Sequence, residues 1–475
     1  MSPSPLIPEK LWQQVSPAMQ AAIGLLMQHY EQQIATLQQR VAELEQRLDQ
    51  NSTNSSRPPS SDGPTVKRRP PEPPSGRPRG GQPSHLKQQR PLLPPDQIIP
   101  CKPNACACCG HALHGDDPQP HRHQVLELPP IRPEVTEYQL HRLCCPQCGH
   151  RTSGRLPDGV PSGCQGPRLQ STVGLLTGNY RLSKRKAAEF CQDLLGVPLC
   201  AGEVCTLERR LSAAMEPVVA ELRLYVRSQN ANMDETTWWL GNRRAYLWVV
   251  VTAQVTIFHV DPSRAGTVAQ GLIDVDAGTI LTTDRYKAYL FWPVERRQLC
   301  WAHLRRDFQA MIDRGNAGTN IGENLLFLSD LMFDTWHRVR DGTLQRKTLR
   351  YRVEQWYRPD VRQLLEAGSR CGCTKTEGTC RDLLALEPAM WTFARVEGVE
   401  PTNNAAEQLQ RHPAQWRKTS YGSDSVAGGR FVANILTMVA TCRQQGKKVL
   451  DVLTACSQAV FSGGLSPSLL PHTTS

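Results

Sequence analysis

Ala231-Asn232-Met233-Asp234-Glu235-Thr236-Thr237-Trp238-Trp239-Leu240-Gly241-Asn242-Arg243-Arg244-Ala245-Tyr246-Leu247-Trp248-Val249-Val250-Val251-Thr252 decides the fold. Two runs rich in β-branched and aromatic residues flank Gly241-Asn242, a pair suited to a tight turn, so the stretch predicts a hairpin with strands over 233–240 and 245–252. A third strand is expected over 255–260, a helix over 263–272, and a fourth strand over 278–284.

Three strands, a helix and a strand is the opening order of an RNase H-like sheet. In that order Asp234 lies on the first strand and Asp284 ends the fourth, adjacent in space although 50 residues apart. A third acid, Glu407, lies in Pro401-Thr402-Asn403-Asn404-Ala405-Ala406-Glu407, where Thr402 or Asn403 is placed to cap the helix that carries it. Unit charges about 4 Å apart repel by roughly 4 kcal/mol at an effective dielectric near 20, so a converging trio opposes folding unless cations join it. Mg2+ (or Mn2+) suits such a set, because it takes a few carboxylates plus water and phosphate oxygens. Strand alternation sends Glu235 to the face opposite Asp234. Asp274 and Asp276 belong to the turn before the fourth strand, and Glu397 and Glu400 to a loop before Pro401.

The 475 residues hold 37 prolines and 34 glycines, which implies several domains and some linker. A net charge of +11 favours a polyanion as partner. No export signal is read at the start, and the longest apolar run, 245–260, is broken by Gln254 and Thr256, so neither a membrane span nor secretion is expected. Seventeen cysteines without an export signal point to reduced thiols and metal. The expected place is cytoplasmic, at the nucleoid.

Toward the N-terminus, Ile23, Met27, Tyr30, Ile34, Leu37, Val41, Leu44 and Leu48 alternate spacings of four and three, the seam of a coiled coil within an N-terminal helix over 1–50. Self-association through it is expected. Residues 51–100 form a basic Pro/Ser-rich linker whose composition predicts disorder, with Lys67, Arg68, Arg69, Arg77, Arg79, Lys87 and Arg90 available to phosphates. Residues 101–160 hold Cys106-x2-Cys109 and, 35 residues later, Cys145-x2-Cys148. Paired thiolates at that spacing close a tetrahedral Zn2+ site, with Gly110 and Gly149 permitting the turns. Cys108 and Cys144 compete as ligands, and strands over 124–128 and 135–143 are expected to join the two pairs as a hairpin.

Residues 161–230 read as helical. Ser183 and Gly196 bracket a helix over 184–195, and a second is expected over 201–212. With Lys184 and Arg185 on the first, the pair suggests a helix-turn-helix. Residues 231–455 form the sheet domain, interrupted by a helical insertion over about 315–395 in which Cys371, Cys373 and Cys380 are expected on an exposed loop. Cys300-x2-His303 offers two ligands, too few for zinc by themselves. Arg411, Arg417 and Lys418, interleaved with Trp416 and followed by Tyr421, are placed to hold a DNA backbone. Residues 456–475 are expected to be a tail.

Residues 51–62, the paired Cys-x2-Cys module, Met233-Asp234-Glu235-Thr236, Thr283-Asp284-Arg285-Tyr286-Lys287-Ala288-Tyr289, Cys300-Trp301-Ala302-His303-Leu304-Arg305-Arg306-Asp307-Phe308, 402–407 and Trp416-Arg417-Lys418-Thr419-Ser420-Tyr421-Gly422-Ser423 together resemble the large transposase of the insertion-sequence 66 family. The likeness covers about 20–455. It implies a multidomain α/β DDE transposase in which Asp234, Asp284 and Glu407 hold metal, terminal inverted repeats are the DNA substrate, and small accessory proteins are encoded alongside. Hydrolytic nicking at the element's ends, then attack of the freed 3′-hydroxyl on target DNA, is the implied reaction. Where the family carries arginine after its glutamate, this chain has Gln408. A regulator with a dead catalytic domain and a metal-dependent nuclease stand as alternatives.

Overall fold

A computed structural model describes residues 9–52, 54–57, 62 and 92–471. The seven cations expected to grip phosphates from the linker lie outside them. After α1 (Glu9–Trp12), Ser16 accepts the amide of Met19 and Pro17 opens α2 (Pro17–Asp49). The seam residues Tyr30, Ile34, Leu37, Val41, Leu44 and Leu48 run exposed along this 33-residue helix.

Between 92 and 169 no residue is buried. The strands expected over 124–128 and 135–143 do not form as a hairpin. Only the short ladder of β1 (Arg142–Cys144) with β2 (Arg151–Ser153) is present. The physical reason is the missing cover: a two-stranded hairpin is marginal without an apolar face to pack on, and here Val125, Leu126, Leu128, Val135, Tyr138 and Leu140 remain exposed.

Three helices follow, α3 (Pro167–Gly178), α4 (Lys184–Leu195) and α5 (Ala201–Val226). The expected boundaries of α4 are those observed, since Ser183 accepts the amide of Lys186 and Gly196 adopts φ 66. The second helix does not stop at 212. It continues through Pro217 to Val226, because Leu211, Met215, Val218, Leu222 and Val226 keep one face apolar and buried against the sheet, which outweighs the bond that Pro217 removes.

Among the described residues the main sheet has five strands: β3 (Ala231–Leu240), β4 (Arg243–Val251), β5 (Thr256–Asp261) and, after α6 (Gly266–Leu272), β6 (Leu281–Thr283) and β7 (Arg297–Leu299). Their order is β5-β4-β3-β6-β7, antiparallel for the first three and parallel across β3-β6-β7. Asn232 pairs with Thr282, and Asp234 on β3 and Asp284 just past β6 each follow two residues on along these neighbouring strands.

Next come α7 (Trp301–Asp313), α8 (Thr319–Arg340), α9 (Arg346–Arg352), α10 (Arg358–Gly368), α11 (Thr374–Ala385) and α12 (Thr392–Arg395). They share a core around Trp301, Phe308, Leu325, Leu365, Leu383 and Trp391. Cys380 is fully buried in it, not on an exposed loop as expected, because α11 turns that position inward.

The chain returns through α13 (Asn404–Ser420), α14 (Val426–Gln444) and α15 (Val449–Ser462). α14 covers the exposed edge of β5: Thr437 Oγ1 accepts the amide of Phe258 at 2.8 Å and Thr441 Oγ1 that of Thr256 at 3.1 Å. The expected tail from 456 is corrected. α15 runs on to Ser462, and Leu469 is buried in the main core, its carbonyl accepting from Gln445 Nε2 at 2.7 Å. Among the described residues no helix is long and apolar enough to cross a membrane.

Candidate active site

Alternation along β3 separates two neighbouring acids. Glu235 is buried on the face of Tyr289 and Arg264, accepting from the tyrosine hydroxyl and from Arg264 Nε at 2.8 Å. Asp234 faces α13. Burial, and then the charges of Glu235, Asp284 and Glu407, push its carboxyl well above the usual range. Asp284 follows the last residue of β6. Its Oδ1 accepts the Tyr286 amide at 2.9 Å, and its carbonyl accepts from the buried guanidinium of Arg297 at 2.7 Å, which burial depresses to about 10.

Glu407 stands in the first turn of α13, and Asn403 is that helix's N-cap residue. The expected cap is different in kind, however. The Asn403 side chain does not turn back on α13. Its Nδ2 donates to Met233 O at 2.8 Å and its Oδ1 accepts from Asn232 Nδ2 at 3.0 Å, while its amide donates to Cys300 Sγ at 3.2 Å. This fully buried residue thus ties α13 to β3 and to the start of α7 at one point. Gln410, one turn after Glu407, is buried and donates to the carbonyls of Leu247 and Asp234. Gln408 is exposed, so the position where the family carries arginine faces solvent here.

Cys300 and His303 lie against the same carboxylate. Glu407 Oε1 is 3.6 Å from Cys300 Sγ and 3.4 Å from His303 Nδ1. Burial, with Glu407 second, pushes the thiol up to about 12, so the sulfur carries its proton toward the carboxylate. The imidazole contact is an ion pair only if the ring is protonated. Burial and then Arg306 favour the neutral ring, and Nδ1, shielded from solvent, makes no hydrogen bond. Among the described residues, Cys300, His303 and Glu407 are the one group of three possible ligands gathered within 4.8 Å.

The cysteine module shows two copies of one turn. Cys106 N donates to His111 O and Gly110 N to Cys106 O, at 2.8 and 2.9 Å; Cys145 with His150, and Gly149 with Cys145, repeat both distances. Gly110 and Gly149 take φ 73 and 70, where a side chain would be strained. Amides of Cys109 and Cys108, and of Cys148 and Gln147, lower the Cys106 and Cys145 thiols, as suits metal ligands. Cys144 lies outside this geometry, its sulfur turned to Gly149 O at 3.3 Å. Among the described residues no three of these thiols lie within 4.8 Å of one another, so each turn is formed while the four thiols are not gathered at one point.

The cations picked out from the sequence fare unequally. Arg185, Arg411 and Lys418 are exposed. Lys184 is paired with Glu208, and Arg417 donates to Thr237 O and, at 3.2 Å, to Thr236 Oγ1, which fastens α13 to β3. Trp416 is buried edge-on against Trp238, in the core rather than on a DNA-facing surface; Tyr421 is exposed.

Comparison with known proteins adds family relations. The Transposase IS66 family matches residues 163–431, the zinc-finger binding domain of transposase IS66 matches 103–149, and a family of unknown function matches 7–91. Among curated proteins, Uncharacterized protein y4hP of Sinorhizobium fredii is 23% identical over 407 residues, 76% of this chain and 70% of that protein. Uncharacterized protein y4qI of the same bacterium is 27% identical over 199 residues, 39% of this chain and 36% of that protein, so the chain spans little more than a third of its length.

Proposed function

The chain belongs to the IS66 transposase family, and from that premise we propose that its sheet is RNase H-like and that Asp234, Asp284 and Glu407 are the metal-holding acids of a transposase acting on the ends of its element. The observation that supports this is the arrangement of three acids from separate elements, Asp234 on β3, Asp284 directly after the paired β6 and Glu407 in the first turn of α13; burial and then the charges of Glu235, Asp284 and Glu407 push the half-buried Asp234 carboxyl well above its usual range. Among the described residues no lysine or arginine forms an ion pair with Asp234, Asp284 or Glu407. The fold therefore holds negative charge in a place where divalent cations, not side chains, are the missing partners.

Mg2+ or Mn2+ bound there would activate the attacking oxygen and stabilise the leaving one. The chain's own residues set the geometry. β3 carries Asp234, Asp284 follows the neighbouring β6, and Asn403 ties the start of α13, which carries Glu407, to β3. Exposed Arg185, Arg411 and Lys418 would meet the DNA backbone, helped by the zinc module and by α4-α5 as a helix-turn-helix. The uncovered seam of α2 would join two copies as a coiled coil. Terminal inverted repeats are the expected substrate, accessory proteins of the same element the expected partners, and the cytoplasm, at the nucleoid, the expected place.

The test is Glu407→Gln, which keeps shape and removes charge. Cleavage and joining of donor DNA should fall to background while binding to the element's ends stays within about twofold, because affinity comes from phosphate contacts elsewhere. Exposed Glu400 changed to Gln should behave as wild type. Wild-type cleavage by Glu407→Gln refutes the assignment. Cleavage without joined product in the wild type marks a nuclease instead.

A further inference from the structure

Beyond the three carboxylates, we propose that Cys300, His303 and Glu407 form a separate binding site for a Zn2+-class cation, sharing Glu407 with the catalytic centre. Three donors of different chemistry, a thiol, an imidazole nitrogen and a carboxylate oxygen, meet within 4.8 Å. A tetrahedral zinc with ordinary bond lengths places its sulfur and oxygen ligands about 3.5 Å apart, and its nitrogen and oxygen ligands about 3.3 Å apart. The cation-free distances from Glu407 Oε1 are 3.6 Å to the sulfur and 3.4 Å to the nitrogen, so two of the three separations already match, and the thiol and imidazole lie within 4.8 Å of each other.

Local structure explains the convergence. Cys300 is the N-cap of α7 and His303 its third residue, positions that lie on one side of a helix start. The α13 start is fastened to that of α7, Trp301 N donating to Pro401 O at 2.9 Å and Asn403 N to Cys300 Sγ, and this brings Glu407 to the same spot. The Asn403 amide on the sulfur is the kind of outer contact that supports a thiolate ligand. His303 Nδ1 is an unpartnered, solvent-shielded acceptor that a cation would satisfy.

The donor set selects the ion. Sulfur and nitrogen ligands favour zinc over magnesium, and three protein ligands leave the fourth position open. The Cys300 thiol loses its proton to solvent on binding. Glu407 and His303 remain about 30% exposed, which gives the ion a way in. Zinc here would engage the carboxylate that magnesium needs and so oppose catalysis; that consequence rests on the proposed role of Glu407, whereas the site itself does not.

The experiment is a Co2+ titration of metal-free, reduced full-length protein without DNA, read by sulfur-to-cobalt absorption and by bound metal per chain. Wild type should take up two equivalents, one in the Cys-x2-Cys module and one here. Cys300→Ser and His303→Gln should each take up one, and Cys106→Ser with Cys145→Ser should keep the one that His303→Gln loses. His303→Gln decides the matter if the buried Cys300 variant fails to fold. Wild-type stoichiometry and absorption in His303→Gln, or a wild type that binds one equivalent lost in the Cys106/Cys145 variant, overturns the proposal. Because cobalt uptake is read without DNA, its failure leaves the three-acid reading standing, and an active Glu407→Gln protein would leave this site standing.

Discussion

The cysteine module and the sheet solve the same problem with opposite means. From 92 to 169 nothing is buried, whereas the sheet encloses Trp238, Met233, Leu247, Trp248 and Phe258 at 2% exposure or less. At roughly 25 cal/mol per Å2 of apolar surface removed from water, burial suffices to order the sheet and contributes almost nothing to the module. In the module a metal is therefore a cause of structure. In the sheet the order reverses: the fold comes first, held by buried apolar surface, and the proposed catalytic metal would be a consequence of structure.

The largest expected effect tests that contrast directly. Structural zinc contributes on the order of 10–16 kcal/mol of apparent binding energy in small knuckles, so chelation should unfold 101–160 and leave 163–462 intact. Limited proteolysis followed by mass spectrometry reads this out: cuts should fall within the module alone. Simultaneous loss of both regions would mean that the sheet leans on the module after all.

A smaller effect belongs to Asn403→Ala. Two side-chain hydrogen bonds, to Met233 O and Asn232, disappear from a fully buried place, at a cost of roughly 1–3 kcal/mol. The urea midpoint should fall and cleavage with it, while zinc content in the module stays at the wild-type value. Unchanged stability would show that α13 is held without the Asn403 tie.

The smallest effect on protomer stability is expected for Leu37→Lys with Leu44→Lys. Both side chains are exposed on α2, so the change should lie within about 0.5 kcal/mol by thermal melting. Sedimentation should nevertheless find monomers. An unchanged oligomer would place the contact elsewhere and remove α2 from the comparison as a third kind of region, one ordered by a partner copy.

Much of the local structure was legible in the residues themselves. Gly241-Asn242 between β-branched runs announced the β3-β4 turn, and Ser183 and Gly196 bounded α4 to the residue, because turn and cap preferences depend on atoms within a few positions. The alternation along β3 likewise separated Asp234 from Glu235 without any tertiary information, since the period of a strand is a property of the backbone. The order of motifs pointed to the family that the comparisons then matched.

What only the tertiary structure decided depends on contacts that no local rule encodes. Cys300-x2-His303 looked two ligands short because its third, Glu407, is 107 residues away. Asn403 read as a cap and is a tie between three elements; the helix expected to end at 212 runs on to Val226 over buried surface; Leu469 read as tail and lies in the core. Each outcome turns on which distant surface covers a residue. Spacing along a chain can say that a face is apolar or that a side chain can ligate, but the partner that satisfies it is chosen by packing in three dimensions.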